Sequence, residues 1–309
     1  MPRPPVDAAR RSLLAAGAAG AAGAAVMAGS GAWPVSAASP MARKPIPGSG
    51  ESLPVIGIGT WQSFDVGAEA MPNLAAILGA FAEGGGTVID SSPMYGRSES
   101  VAGELIQRAN LRRKLFVATK VWTTGREAGI AQMNDSLKKL RADPIDLMQV
   151  HNLQDLDTHL ATLSDWKKAG RVRYVGITHY TAGAYASVER ALEKHAVDFL
   201  QINYSIGERE AEKRLLPMAR ERKIAVIANR PFAGGDLFRR LRSTPLPAWA
   251  AEIDCVSWAQ LMLKFVVAHP AVTCAIPATS RIEHLRDNLG GGMGRMPDEA
   301  MRGRIAGVV

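Results

Sequence analysis

The stretch Ile145-Asp146-Leu147-Met148-Gln149-Val150-His151 is a nearly continuous apolar run, and Val172-Arg173-Tyr174-Val175-Gly176-Ile177-Thr178 is a second. Strands buried on both faces read this way, without the polar alternation of a half-exposed sheet. Residues 160–168, between them, carry a helical repeat. Strand, amphipathic helix and strand make one βαβ unit, and working outward from this pair the unit recurs. Runs of strand character occur at 55–59, 87–90, 115–120, 145–151, 172–178, 199–203, 224–228 and 273–277, eight in all. Helical faces lie between them. Residues 73–83 put Leu74, Ile77, Leu78 and Phe81 on one side, residues 130–140 do so with Met133, Leu137 and Leu140, and residues 184–193 behave alike. Alternating strands and helices imply a parallel sheet with crossover helices. Eight units in about 250 residues predict an α/β fold, a (β/α)8 TIM barrel of a single domain. A doubly wound sheet would want a glycine-rich phosphate turn after an early strand. Gly57-Ile58-Gly59 has no third glycine at the needed spacing, and Trp61-Gln62-Ser63-Phe64 reads as loop.

Ahead of the first run, residues 44–51 and 53–56 are short apolar pieces around a Pro/Gly/Ser turn, which predicts an N-terminal β-hairpin capping the barrel. The longest connection spans 230–254 and holds Pro231, Gly234, Gly235, Pro245 and Pro247. A long loop in a compact barrel is usually functional.

A hydrophobic fraction of 47% and a charged fraction of 21% allow a full core and exclude a disordered chain. The net charge of +8 raises the question of nucleic acid. The basic residues are scattered in pairs such as Arg112-Arg113 and Arg239-Arg240, with no longer run and few aromatics among them, so no nucleic-acid partner is expected. Cys255 and Cys274 are too few for a metal cluster, and no metal site is expected. They form either one disulfide or two small core residues.

Residues 1–37 read as a cleaved signal peptide and 38–309 as the barrel domain. Arg10-Arg11-Ser12-Leu13-Leu14 is followed by an Ala/Gly-rich mildly apolar segment that ends near Val35-Ser36-Ala37, a small-residue cleavage pattern. Paired arginines before a weak apolar stretch suggest the twin-arginine export machinery as a partner, and a periplasmic or secreted location. The stretch is too rich in glycine and alanine for a good membrane span, so no stable membrane anchor is expected. If the segment does not act as a signal, the same chain is cytoplasmic. Loss of residues 1–37, with three arginines and one aspartate, leaves a charge of +6.

In a TIM barrel the site lies where strands end and loops begin. The second run ends in Asp90, with Tyr95 five residues on. The third ends in Lys120 and the fourth in His151. Alone, each has an ordinary structural reading as turn, rim, surface or core residue. Together on successive strand ends they form a chemical set. A phenol near pKa 10 is a poor acid at neutral pH. A lysine ammonium beside it favours the phenolate and lowers that pKa. An aspartate holds the lysine, and a histidine orients a carbonyl oxygen. Such a set protonates an oxygen while a cofactor delivers hydride, which no side chain supplies.

The segments Gly57-Ile58-Gly59-Thr60-Trp61, Ile89-Asp90-Ser91-Ser92-Pro93-Met94-Tyr95-Gly96, Ala118-Thr119-Lys120 and Asp146-Leu147-Met148-Gln149-Val150-His151 closely resemble the aldo-keto reductases. The resemblance runs from about Lys44 to Asn288. It implies reduction of an aldehyde or ketone by NAD(P)H, with Tyr95 as general acid, Lys120 and Asp90 tuning it, and His151 orienting the substrate. It also implies cofactor contacts at Thr60, Asp90, Thr178, His179, Gln201, Asn229, Arg230, Phe232 and Gly234, with the adenosine end held near Ala278, Thr279, Ser280, His284, Asp287 and Asn288. Thr178 and His179 stand where the family usually has Ser and Asn. Asn229 and Arg230 stand near the place of a stacking tyrosine, and Ala278 and His284 where many relatives have cations. NADP(H) is the expected cofactor, with NAD(H) as the alternative. Trp61 and Trp122 are expected to rim the pocket for a small-molecule carbonyl substrate. A second reading is a nucleotide-binding sensor with little turnover. An exported member would load its nucleotide before leaving the cytoplasm.

Overall fold

The computed structural model describes residues 39–309, and the expected signal segment, 1–37, lies outside them. Ten strands follow in chain order: β1 (Arg43–Pro45), β2 (Ser52–Pro54), β3 (Ile58–Gly59), β4 (Val88–Asp90), β5 (Phe116–Val121), β6 (Ile145–His151), β7 (Val172–Thr178), β8 (Phe199–Asn203), β9 (Ala225–Asn229) and β10 (Val272–Ala275). Strands β3 to β10 pair as parallel neighbours in sequence order. The ends of that sheet meet. The Gly57 N–H donates to the Ala275 carbonyl at 2.8 Å, and the Ala275 N–H donates to that of Val55 at 2.9 Å. The result is the expected (β/α)8 barrel.

The first expected strand, 55–59, is divided in two. Only Ile58–Gly59 pairs with β4, whereas the residues before it bond to β10 and close the barrel. The helix Met71–Glu83 buries Leu74, Ile77, Leu78 and Phe81, the face its periodicity predicts. The helix Trp258–Ala268 has no such one-sided pattern, because it is buried at nearly every position, and a helix apolar all round gives no periodic signal. Its start is marked instead by Ser257, whose side chain accepts the Gln260 N–H at 3.1 Å. The connection expected as a long loop at 230–254 contains the short helix Asp236–Arg240 and the 3-10 segment Ala248–Ile253, docked by the buried Leu237 and Ile253. Its prolines and glycines hide those short turns in the sequence.

Strands β1 and β2 form the expected hairpin. From it, Ile46 and Leu53 enter an apolar cluster with Val88, Phe116, Leu147 and Phe199. Three of these are at the starts of β4, β5 and β8, so the hairpin plugs the end of the barrel where the strands begin. Lys44 fixes it there by donating to the carbonyls of Val267, His269 and Val272 at 2.6–2.8 Å. The Tyr174 hydroxyl donates to the Glu51 carboxylate at 2.7 Å. Cys255 and Cys274 are both buried free thiols, which resolves their reading as core residues. Among the described residues, no helix is long and apolar enough to cross a membrane.

The plug generates a stability prediction. Leu53→Ala empties a fully enclosed position and should lower the unfolding free energy by about 2–5 kcal/mol. Urea denaturation checks this, and an unchanged midpoint would mean that the hairpin does not seal the core.

Candidate active site

At the opposite end of the barrel, β4 finishes at Asp90, β5 carries Lys120 as its second-last residue, and β6 finishes at His151. Lys120 has no exposed surface and Asp90 only 2%. The Lys120 ammonium donates to Asp90 Oδ2 at 2.6 Å and to the Ser91 carbonyl at 2.6 Å. The other oxygen, Asp90 Oδ1, accepts from Gln149 Nε2 at 3.2 Å and from Gln201 Nε2 at 2.9 Å. Tyr95 lies on the loop after β4, with the Lys120 nitrogen 5.2 Å from its ring centroid. The His151 ring stands edge-on to it, with centroids 6.1 Å apart. The structure therefore brings Asp90, Tyr95, Lys120 and His151 into one cluster.

Their environments set distinct proton affinities. For Lys120, burial works against the charge, but Asp90 and then Tyr95 outweigh it, so the ammonium is held above its ordinary pKa. Burial pushes the Tyr95 phenol up, and Lys120 withdraws only part of that rise. The net direction is opposite to the one the lysine alone predicts from sequence, because sequence shows the neighbour and not the burial. His151 is lowered to about 3, by burial first and then by the charges of Lys120 and His179. It is a neutral imidazole throughout the working range.

The mouth around this cluster holds the residues expected to meet a cofactor. Asn229 Nδ2 donates to the His179 carbonyl at 3.1 Å, and His179 Nδ1 accepts the Tyr180 N–H at 3.0 Å. Asn229 Oδ1 and Arg230 Nε are buried with no partner. The Arg230 guanidinium folds over Gly234, where an added Cβ would come within 3.0 Å of it. Phe232 packs against Phe238. On the loop after β10, Ala278 and Ser280 are exposed and Thr279 Oγ1 accepts the Arg281 N–H at 3.1 Å; on the helix Ile282–Gly290 that follows, His284 is exposed and Asn288 is buried. Four of the expected contacts make hydrogen bonds within the protein. Thr60 donates to Ser91 Oγ at 2.9 Å, and Thr178 donates to Gln201 Oε1 at 3.2 Å while Gln201 turns in to Asp90. Asp287 accepts from Ser257 Oγ at 2.8 Å and Gln260 Nε2 at 2.9 Å, bracing the start of the helix Trp258–Ala268. Trp61 and Trp122 are 48% and 39% exposed, and the Trp122 ring is 6.5 Å from that of His151. Gln132 clamps the Trp122 backbone, accepting its N–H at 2.6 Å and donating to its carbonyl at 3.1 Å.

The model of the aldo/keto reductase family matches residues 55–302, the whole barrel from its first strand to the last helix. The chain belongs to the aldo/keto reductase family. As a member it is an oxidoreductase. It is 30% identical over 256 residues to a methylglyoxal reductase of Escherichia coli K12, covering 80% of this chain and 89% of that protein. It is 25% identical over 288 residues to an NADP(+) aldo-keto reductase of Schizosaccharomyces pombe, covering 78% of this chain and 84% of the other. Among solved structures, an aldo-keto reductase from Klebsiella pneumoniae in complex with NADPH superposes with a TM-score of 0.71 at 26% identity, over 86% of this chain and 94% of that one.

Three polar residues of this reductase escaped the sequence reading. Gln149 was within reach of it, since it lies two residues before His151 and a strand's period of two puts both on the inner face. Opposite it in register is Gly176, where an added Cβ would lie 3.2 Å from Gln149 Cγ and 2.9 Å from the Phe199 carbonyl. Glu99 is buried behind β5, accepting from Thr119 Oγ1 at 2.6 Å and Ser136 Oγ at 3.1 Å. Nothing in the sequence separates it from Glu104 of the same helix, Ser98–Arg108. Ser92 touches His151 from the loop after β4.

The unfolded chain protonates His151 near its ordinary 6.5 and the native chain only near 3, so stability falls as pH drops through that window. His269, lowered to about 4 chiefly by burial, adds in the same sense. His151→Asn should flatten the fall by as much as about 1.4 kcal/mol per pH unit. Urea midpoints measured from pH 7 to pH 4 check this, and an unaltered slope would place the dependence elsewhere.

Proposed function

We propose that this enzyme reduces an aldehyde or ketone to the alcohol, using NADPH, with NADH as the alternative, and Tyr95 as general acid. The observation that carries the reading is a fully buried ammonium, Lys120, paired with Asp90 and set against the Tyr95 ring. The bound nucleotide supplies the hydride. The remaining work belongs to the chain.

Tyr95 must hold its proton at rest and release it when negative charge develops on the carbonyl oxygen. Its raised pKa keeps it protonated at neutral pH. The fixed Lys120 charge then stabilises the phenolate that forms, without any reorganisation at that moment. Asp90 keeps the ammonium in place through Oδ2, and the amides of Gln149 and Gln201 keep Asp90 in place through Oδ1. His151, being neutral, does not compete for the proton and is free to orient the oxygen.

The residues at the mouth fit a nicotinamide nucleotide. Asn229 Oδ1 is a buried acceptor without a partner, as a carboxamide N–H requires, and Arg230 Nε is a buried donor without one. His179 would hold the carboxamide with Asn229, while Arg230 and the backbone at Gly234 would face the phosphates. Thr279, Ser280, Arg281 and His284 would serve a 2′-phosphate, which favours NADPH. The superposition on the NADPH complex from Klebsiella pneumoniae and the likeness to the NADP(+) enzyme of Schizosaccharomyces pombe support the same choice. Exposed Trp61 and Trp122 give an apolar rim around a polar centre, suited to small carbonyls with apolar substituents. The relative from Escherichia coli, named for methylglyoxal, fits that class.

Tyr95→Phe removes the acid and leaves the ring. The purified variant should bind NADPH as the wild type does, measured by nucleotide fluorescence. Its kcat for aldehyde-dependent NADPH oxidation should fall by about 10²- to 10⁴-fold. A wild-type rate would remove Tyr95 from the reaction.

Residues 1–37 support a further element of the reading, export by the twin-arginine route after folding and cofactor loading. Replacing Arg10 and Arg11 by lysine should shift the protein from the periplasmic to the cytoplasmic fraction. Protein found in the cytoplasm both with and without the change would rule export out.

A further inference from the structure

The loop after β4 carries two adjacent serines, both buried. Ser91 is committed to the lysine side of the site: its carbonyl accepts from Lys120 and its Oγ from Thr60. Ser92 faces the other way. Its Oγ is 3.2 Å from Nδ1 of His151. The Met94 N–H approaches the same oxygen at 3.5 Å, so a lone pair of Oγ faces that N–H and the hydroxyl proton is free to turn to the imidazole. Nε2 of His151, across the ring, has no hydrogen-bond partner among the described residues. A neutral imidazole carries one proton, and the hydrogen bond at one nitrogen decides which nitrogen holds it. Burial keeps this ring neutral, so the question of tautomer is present at every working pH.

We propose that Ser92 is a positioning residue whose hydroxyl donates to Nδ1 of His151 and thereby holds the ring as the tautomer with its proton on Nε2. The unpartnered nitrogen is then a hydrogen-bond donor, suited to a carbonyl oxygen. The opposite tautomer would present a lone pair, which repels that oxygen. One short loop thus sets all three protic groups, since Ser91 holds Lys120, Ser92 holds His151, and Tyr95 follows three residues later. The catalytic consequence rests on the reductase reading, whereas the tautomer is a property of the resting protein and is testable without turnover.

The experiment is long-range proton–nitrogen correlation NMR on the full chain with ¹⁵N-labelled histidine, at neutral pH, with the His151→Asn variant used to assign the ring. The expected wild-type result is a protonated Nε2 and a bare Nδ1. Ser92→Ala should give a mixture of tautomers and lower kcat/KM for carbonyl reduction about three- to tenfold, the size of one modest hydrogen bond. Ser92→Thr keeps the hydroxyl and should restore both the single tautomer and the rate. A proton on Nδ1 in the wild type would overturn the proposal even if the alanine variant failed to fold. So would an unchanged Nε2–H tautomer in Ser92→Ala. A wild type that oxidises no nucleotide with any carbonyl would sink the reductase reading, while the nitrogen shifts would still decide the tautomer.

Discussion

A lysine with no exposed surface, at the centre of a closed barrel, is tolerable only with a partner, and the ion pair of Lys120 with Asp90 is the constraint around which the upper barrel is organised. Removing either member of a buried pair leaves an uncompensated charge, which costs several kcal/mol. Pairing alone is not enough, because both groups have further hydrogen-bonding capacity to satisfy. The ammonium takes the Ser91 carbonyl, and the second carboxylate oxygen takes the amides of Gln149 and Gln201. Each of these sets a condition on its own strand. Gln149 needs the space that a side chain at Gly176 would invade, and Gln201 turns inward, where Thr178 and Asn229 share its oxygen.

Beneath this polar layer, the other end of the barrel is apolar and closed. Ile46 and Leu53 seal the start of the strands, and Phe116, Tyr174 and Phe199 pack as a mutual aromatic set above them. Lys44 ties the hairpin to three carbonyls near the start of β10. The two ends divide the work of the fold: apolar burial at one supplies stability, and desolvated charge at the other supplies chemistry.

That division also explains what the sequence discloses. Strands buried on both faces announce themselves as unbroken apolar runs, so β6 and β7 are legible to the residue, and Asp90 and His151 stand out because polarity returns where those runs stop. Lys120 stands out for the same reason, although Val121 extends its strand by one residue. Legibility fails where position depends on a partner distant in sequence. Asp287 reads as a residue at a cofactor's edge, and nothing in the sequence shows that it also braces the capping Ser257, thirty residues away. Ser92 carries no signal until His151 is brought beside it, and Glu99 none until Thr119 and Ser136 close over it. The direction of the Tyr95 shift fails similarly, because it is a balance between a neighbour that can be named from sequence and a burial that cannot.

The balance matters more than either influence. An acid made stronger by an unopposed lysine would lose its proton to water before substrate arrived. An acid merely buried would keep its proton when the developing oxyanion needed it. On the proposed reading of Tyr95 as the acid, burial holds its proton in the resting state, and Lys120 would offer the phenolate a fixed counter-charge in return. Water would screen that charge, and the partial burial that raises the phenol's pKa also limits that screening. The same enclosure holds His151 neutral, so the only ionised groups facing the phenol from β4 and β5 are the ammonium and the carboxylate that anchors it. One physical circumstance, removal from solvent, would therefore set the proposed donor, counter-charge and orienting group together, and any change that wets the site would disturb all three.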